Sequence, residues 1–333
     1  MAKLRRIIDQ LRGTAAGFSR LGQVLPVLVG LAAEPALAQT AAPTPPTVRA
    51  SPELQARIAE FEARIVELAR ALGDEPRLRG LSPQRRQKQV EFVVGNIVFV
   101  ATHELGHAVI SELDLPVLGR EEDTADVFAI LTALRVVGSE FSHRILVGAT
   151  AAWFLGARRD QREGETPTYY QRHGLDEQRA YHVVCLMVGS DPNKFKALAD
   201  EKKLPEDRRR SCGWDYDTAA RSWERIMALH LRASHQPKTQ IDVAYGEAKG
   251  PLAMVAKSFR ELRFLEHFAD YAAERYLWPH PIKMEMRTCG SPNARWTIPT
   301  RTLHICYEMV DEFVELYGEY ERHLRTGKRT SRR

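Results

Sequence analysis

The chain has 333 residues, 44% hydrophobic and 27% charged, a globular composition with ample material for a packed core in one large domain or two small ones. Its formal charge of +5 is concentrated at the ends: the first 38 residues carry five Lys/Arg and two Asp/Glu, and residues 322–333 carry six Lys/Arg and no acid. The body between them holds 37 basic against 41 acidic residues. That balance argues against nucleic-acid binding, because a short basic tail alone reads as solvated chain.

Near the amino terminus, Lys3, Arg5, Arg6, Arg12 and Arg20 accompany a short apolar segment over 21–33, and Ala36-Leu-Ala38 before Gln39 fits small-residue cleavage. Residues 1–38 therefore predict a signal peptide, with export to the periplasm or the medium. No later apolar run approaches the ~20 residues that a helix needs to cross a bilayer, so no span is expected in the mature form. Residues 39–50, with Ala41-Ala-Pro-Thr-Pro-Pro-Thr47, read as an extended Pro-rich linker. A helix is predicted over 51–71, with Leu54, Ile58, Phe61, Ile65 and Leu68 at helical spacing behind a Ser51-Pro-Glu start. With its connector to residue 84 it precedes the main domain, expected over 85–324.

The helix predicted over 87–113 is the most apolar stretch of the mature chain and ends in His103-Glu-Leu-Gly-His107. Positions i and i+4 share a helix face, so both imidazoles can meet one metal ion. Glu104, one step round the turn, can reach a water on that ion without binding the metal. Gly106 leaves a smooth helix surface where a substrate backbone could approach. A third ligand is needed. The three-histidine pattern would place Gly at 110 and His at 113; Ile110 and Leu113 exclude it. Pro116 and Gly119 mark a turn that reverses the chain into a second helix, predicted over 121–137. There Glu122 and Asp126 lie on one face. Glu122 is assigned as third ligand, and Asp126 as the carboxylate that orients a ligand histidine through its other ring nitrogen. Glu121 is the rival ligand, but Ala125 stands four residues after it. The expected cofactor is Zn²⁺, which lowers the pKa of bound water towards about 7 and polarises a carbonyl. Glu104 is the expected general base. An oxyanion donor is sought among His173, Arg179, Tyr181, His182 and Tyr307, without a choice between them.

Beyond this pair of helices, residues 145–155 continue the helical core, 158–175 form a polar loop, and 176–188 form a helix ending at Gly189. Residues 193–213 read as charged surface. Helices follow at 215–232 and 251–276, strands at 282–288 and 294–305, a last helix over 308–324 and a basic disordered tail over 325–333. The expected fold is mostly α (α+β): a zincin-like helical domain around a central HExxH helix, with a small C-terminal β-hairpin. The four cysteines, Cys185, Cys212, Cys289 and Cys306, form no CxxC pair and fit disulfides in an oxidising compartment. The local pairings, 185 with 212 and 289 with 306, are preferred because each closes a loop between adjacent elements.

The segments 102–110 (THELGHAVI), 113–126 (LDLPVLGREEDTAD), 175–192 (LDEQRAYHVVCLMVGSDP) and 289–309 (CGSPNA…CYEM) resemble a bacterial family of metallopeptidases of unknown function, over roughly residues 85–320. The resemblance implies a zinc-dependent, gluzincin-type peptidase domain and no particular substrate. The Glu122-Asp-Thr-Ala-Asp126 stretch is also similar to the ExxAD helix of CAAX-prenyl-protease-like gluzincins. Those proteins carry an Asn-Ala-Phe strand alongside the cleft. Here Pro292-Asn-Ala-Arg-Trp296 follows the metal helices instead of preceding them, so any correspondence is permuted. On that likeness Asn293, Ala294 and the strand to Trp296 line the substrate cleft, with Tyr307 nearby; the alternative is an ordinary hairpin stapled by Cys289 and Cys306.

These features predict an exported zinc metallopeptidase acting on a peptide or protein. The competing readings are a zinc-containing, non-catalytic binding or scaffold protein of the cell envelope, and a cell-envelope interaction module using the 51–71 helix and the basic tail on partners or anionic surfaces. The presence of Glu104 favours the enzyme, since a structural metal site needs no base.

Overall fold

In a computed structural model of the chain, the described residues are 52–71, 78, 80–137, 139–233 and 235–330. The predicted signal peptide and linker lie outside them, as do the last three residues of the predicted tail.

Helix α1 (Pro52–Ala71) leads to α2 (Pro83–Glu112), which begins where Ser82 accepts the Arg85 amide and Pro83 occupies the first turn. From Gln89 to Ile110 nearly every residue of α2 is buried, with α1, the two helices that follow α2, the last helix and one strand packed around it. By length and composition α2 could cross a bilayer, yet it is the buried core helix. The apolar face of α1 is consumed by the same core: Phe61, Ile65 and Ala69 are buried. It is therefore not a free face for a partner.

Helix α3 (Glu121–Leu131) runs into a π-helical turn, Thr132–Val137, and α4 spans Glu140–Glu163. The loop expected over 158–175 thus begins only at Gly164, whose left-handed backbone (φ 75°) ends α4. Next come α5 (Asp176–Ser190), α6 (Lys196–Glu201) and α7 (Glu206–Met227). The segment expected as charged surface, 193–213, is therefore largely helical. Glu206 and Asp207 directly after Pro205 are helix-start signals, hidden in the sequence by the Arg208–Arg210 run. Helices α5 and α7 are bridged by Cys185–Cys212 and touch so closely that a Cβ on Gly189 would collide with the Cys212 carbonyl.

Strand β1 (Ile241–Tyr245) was not predicted. The helix expected over 251–276 is two helices, α8 (Pro251–Glu261) and α9 (Phe264–Arg275), broken at Arg263 in the left-handed region (φ 51°); nothing in the composition marks this break. Strands β2 (Ile282–Arg287), β3 (Ala294–Thr297) and β4 (Thr302–Cys306) complete a four-stranded sheet ordered β1-β2-β4-β3. β1 and β2 are parallel, as are β2 and β4; only β3 and β4 are antiparallel. The hairpin expected between 282–288 and 294–305 therefore lies wholly within the second segment. Pro299 explains this: it has no amide to give to a ladder, and the chain makes a 3-10 turn there (Ile298–Thr300) before resuming as β4. Cys289–Cys306 links the β2–β3 connection to the end of β4. Met284, Met286, Leu303 and Ile305 turn into the core. Helix α10 (Met309–Thr330) then returns to α2, continuing through residues 325–330 of the expected tail.

Candidate metal centre

α2 and α3 meet at Gly106. A Cβ there would lie 3.2 Å from Ala125 Cα and 3.2 Å from Phe128 Cδ1. The smooth surface expected to admit substrate is filled by α3 instead, and its use is to let the two helices approach. That approach brings His103, His107 and Glu122 together, each buried.

The second nitrogen of each ring decides what the first can do. His103 Nδ1 lies 2.8 Å from Asp126 Oδ1, and His107 Nδ1 lies 2.6 Å from Glu121 Oε1. A carboxylate can only accept, so Nδ1–H donates in both rings and both Nε2 atoms present lone pairs. Those lone pairs face one gap. The two Nε2 atoms are 3.2 Å apart, and Glu122 Oε2 is 3.3 Å from one and 3.2 Å from the other. Three acceptors turned toward one another are a poor arrangement unless a cation or a proton sits among them. Tetrahedral zinc with ligands at about 2.0–2.2 Å holds its donors about 3.3–3.6 Å apart. The donor set and its spacing thus fit a metal ion of this kind.

Electrostatics agree. Burial opposes a charge on His103, but hydrogen bonds to Asp126 and Glu122 outweigh it and push its pKa up to about 9. His107 is raised against burial by Glu122 and Glu121. Burial would raise Glu122, yet His103, His107 and His173 hold it far below the usual carboxylate range. Without a metal, the gap draws protons, as a pocket shaped for positive charge must. Glu104 behaves differently: burial raises its pKa, only partly countered by the two histidines and the Trp296 amide.

Around this gap the sequence-derived candidates separate. Glu121, the rival ligand, stands behind His107 as a supporting carboxylate. Asp126 supports His103 and is itself gripped by Arg179, whose Nε and Nη2 donate to Oδ2 and Oδ1 at 2.8 Å each. Arg179 also lies 3.7 Å above the Trp153 ring. It braces Asp126 and is not available as an oxyanion donor. Tyr181 donates to the Lys202 carbonyl, and Tyr307 is fully buried with its hydroxyl on the Gly246 carbonyl. His182 lies on the far side of α3, in a cleft lined by Leu118, Asp123 and Trp223. Only His173 reaches the gap, with Nε2 2.8 Å from Glu122 Oε2.

Glu104 faces the sheet. Trp296 N–H donates to Glu104 Oε2 at 2.8 Å, and its indole N–H donates to Ser111 Oγ at 2.7 Å. β3 is an edge strand. Cys306 N–H donates to the Asn293 carbonyl, so by antiparallel alternation the polar backbone groups of Ala294 and Trp296 point away from β4, to the free edge. The Trp296 bond to Glu104 agrees with that alternation. Asn293 is exposed and Ala294 half-buried. The strand is therefore beside the helix that carries the cluster, whereas Tyr307 is not. The sequence reading placed Trp296 on the cleft strand but missed its bonds to Glu104 and Ser111, and it missed the supporting use of Glu121; the acidic run 121–123 was the only signal for the last.

Residues 71–227 match a protein family described as "Putative metallopeptidase". No curated protein matches the chain, and no solved structure does. All the side chains that converge on the gap fall within the matched span, whereas the edge strand falls after it. Over that span, a little under half of its length, the chain is similar to this family.

Proposed function

We propose that the protein is an exported, zinc-dependent peptidase that hydrolyses peptide bonds, with His103, His107 and Glu122 as ligands and Glu104 as general base. The observation that carries this reading is the convergence of two bare Nε2 atoms and Glu122 Oε2 at 3.2–3.3 Å, with the buried carboxylate of Glu104 on the same helix. When bound, zinc supplies Lewis-acid polarisation of the scissile carbonyl and acidifies a water. Glu104 would take the proton from an attacking water as the water oxygen adds to the carbonyl carbon, and would deliver it to the amide nitrogen as the C–N bond breaks. Asp126 and Glu121 keep both rings in the tautomer that leaves Nε2 free. His173 is the nearest donor for the developing oxyanion. The free edge of β3, at Ala294, offers an extended substrate a strand to pair with. The disulfides Cys185–Cys212 and Cys289–Cys306 support an oxidising compartment.

The test is zinc stoichiometry together with cleavage of a broad peptide library, for wild type and Glu104→Gln. One zinc per chain in both proteins is expected, with cleavage by wild type reduced about 10²–10⁴-fold in the variant. Stoichiometric zinc without cleavage in either would favour the scaffold reading. No zinc in either would remove the metal site.

A further inference from the structure

Resting on Glu104 as the base, we propose that Trp296 is its positioning residue: a two-point clamp that holds the base and the edge strand in one register. Glu104 and Ser111 are seven residues apart on α2, which is two turns, so they lie on one face. Trp296 reaches both, with its backbone N–H on Glu104 Oε2 at 2.8 Å and its indole N–H on Ser111 Oγ at 2.7 Å. The next helix residue, Glu112, accepts from Arg301 Nε at 3.1 Å, and Arg301 sits just ahead of β4. Two consecutive positions of α2 thus fasten the hairpin at both of its strands. Trp296 is paired with Leu303 of β4, whose side chain is buried in the core, so the clamp has a rigid anchor.

The physical need is clear. A glutamate has three side-chain torsions, and Glu104 is surrounded by the charges of the metal cluster. Fixing Oε2 on an amide leaves Oε1 in a defined place for the proton it must carry. A displacement of about 1 Å at a reacting group can cost on the order of a hundredfold in rate. The amide itself cannot be removed by a side-chain substitution. The indole–Ser111 bond can, and it controls where that amide sits. The bond to Glu104 commits the backbone N–H of Trp296 to the protein, leaving Ala294 as the edge residue whose amide is open to a substrate strand.

The experiment uses the full-length zinc-loaded protein, a broad peptide library, and amide hydrogen exchange followed by nuclear magnetic resonance at residue 296. Ser111→Ala and Trp296→Phe should each lower kcat about tenfold with little change in KM or zinc content. The double variant should lose no more than either single one. Exchange at the residue 296 amide should be about tenfold faster in Ser111→Ala, and Ser111→Thr, which keeps the hydroxyl, should restore both kcat and exchange. Additive losses, unchanged kcat in Ser111→Ala, or wild-type exchange at residue 296 in that variant would overturn the clamp. If the wild type cleaves nothing in the library, the peptidase reading falls while the exchange arm still decides the clamp: faster exchange in Ser111→Ala supports it, and unchanged exchange overturns it.

Discussion

The centre has two sides built on different principles. On the helical side, charged side chains hold one another in series: Trp153 under Arg179, Arg179 on Asp126, Asp126 on His103, and Glu121 on His107. On the strand side the groups that hold Glu104 are neutral, and the charged contact from α2 to the hairpin, Arg301 on Glu112, is two helical turns away from it. A backbone amide, an indole and a hydroxyl hold Glu104 and β3 in place. The helical side concentrates negative charge to retain a cation and fix imidazole tautomers. The strand side supplies shape and register, which neutral groups provide without adding to the charge that the metal must balance. A site assembled this way should lose metal when its helical side is damaged, and lose geometry when its strand side is.

The largest effect is expected on the helical side. Structural zinc sites bind with on the order of 10–16 kcal/mol shared among four ligands. Losing one ligand should therefore cost about 2.5–4 kcal/mol. His107→Ala should weaken zinc binding several hundredfold, measured by competition with a chromogenic chelator. Binding within tenfold of wild type would mean that the gap between the Nε2 atoms is not the metal position.

The two supporting carboxylates offer a sharper comparison. The Asp126 side chain is 5% exposed and holds both His103 and Arg179, whereas the Glu121 side chain is 39% exposed and holds His107. Outer partners of metal ligands typically contribute 10–100-fold in affinity. Asp126→Asn should fall in that range and also destabilise the metal-free protein, because Arg179 would be left buried without its counter-charge. Glu121→Gln should cost only a few-fold, because water can replace an exposed partner. Zinc titration and thermal melts of both variants check the order; equal losses would break it.

The same division explains what could be read in advance. His103, His107, Glu122 and Asp126 were legible because helical spacing alone puts them on facing surfaces. Arg179 was named only as one of five candidate oxyanion donors, since its partner lies 53 residues away and no periodicity reports such a distance. The Trp296 contact was illegible for a deeper reason: every residue but proline has the same amide, so the type of residue carries no signal for a backbone donor. Strand β1 was missed because it pairs in parallel with β2, and parallel neighbours need no tight turn between them to announce the pair. Pro299 was visible and its consequence for the hairpin could have been drawn. Gly106 was visible too, but one glycine does not say whether a substrate or a helix occupies the space beside it.

Gly106→Ala is the smallest perturbation that tests how tightly the two helices must meet. In isolation the substitution favours the helix by about 1 kcal/mol. Here the new methyl would press on Ala125 Cα and Phe128 Cδ1 at 3.2 Å and on Ala125 Cβ at 3.3 Å, and overpacking of this kind costs about 1–3 kcal/mol. The net expectation is a loss of about 1 kcal/mol, seen as a lower melting temperature. The zinc-loaded and metal-free forms then tell two mechanisms apart. If α3 stays in place and only the packing suffers, both forms lose the same amount. If α3 is lifted, Glu122 moves away from the two Nε2 atoms, and the loaded form loses more because its metal is held less well. We expect the second, since the backbone of Ala125 cannot yield without moving α3. A variant more stable than wild type in both forms would mean that the α2–α3 contact has room to spare.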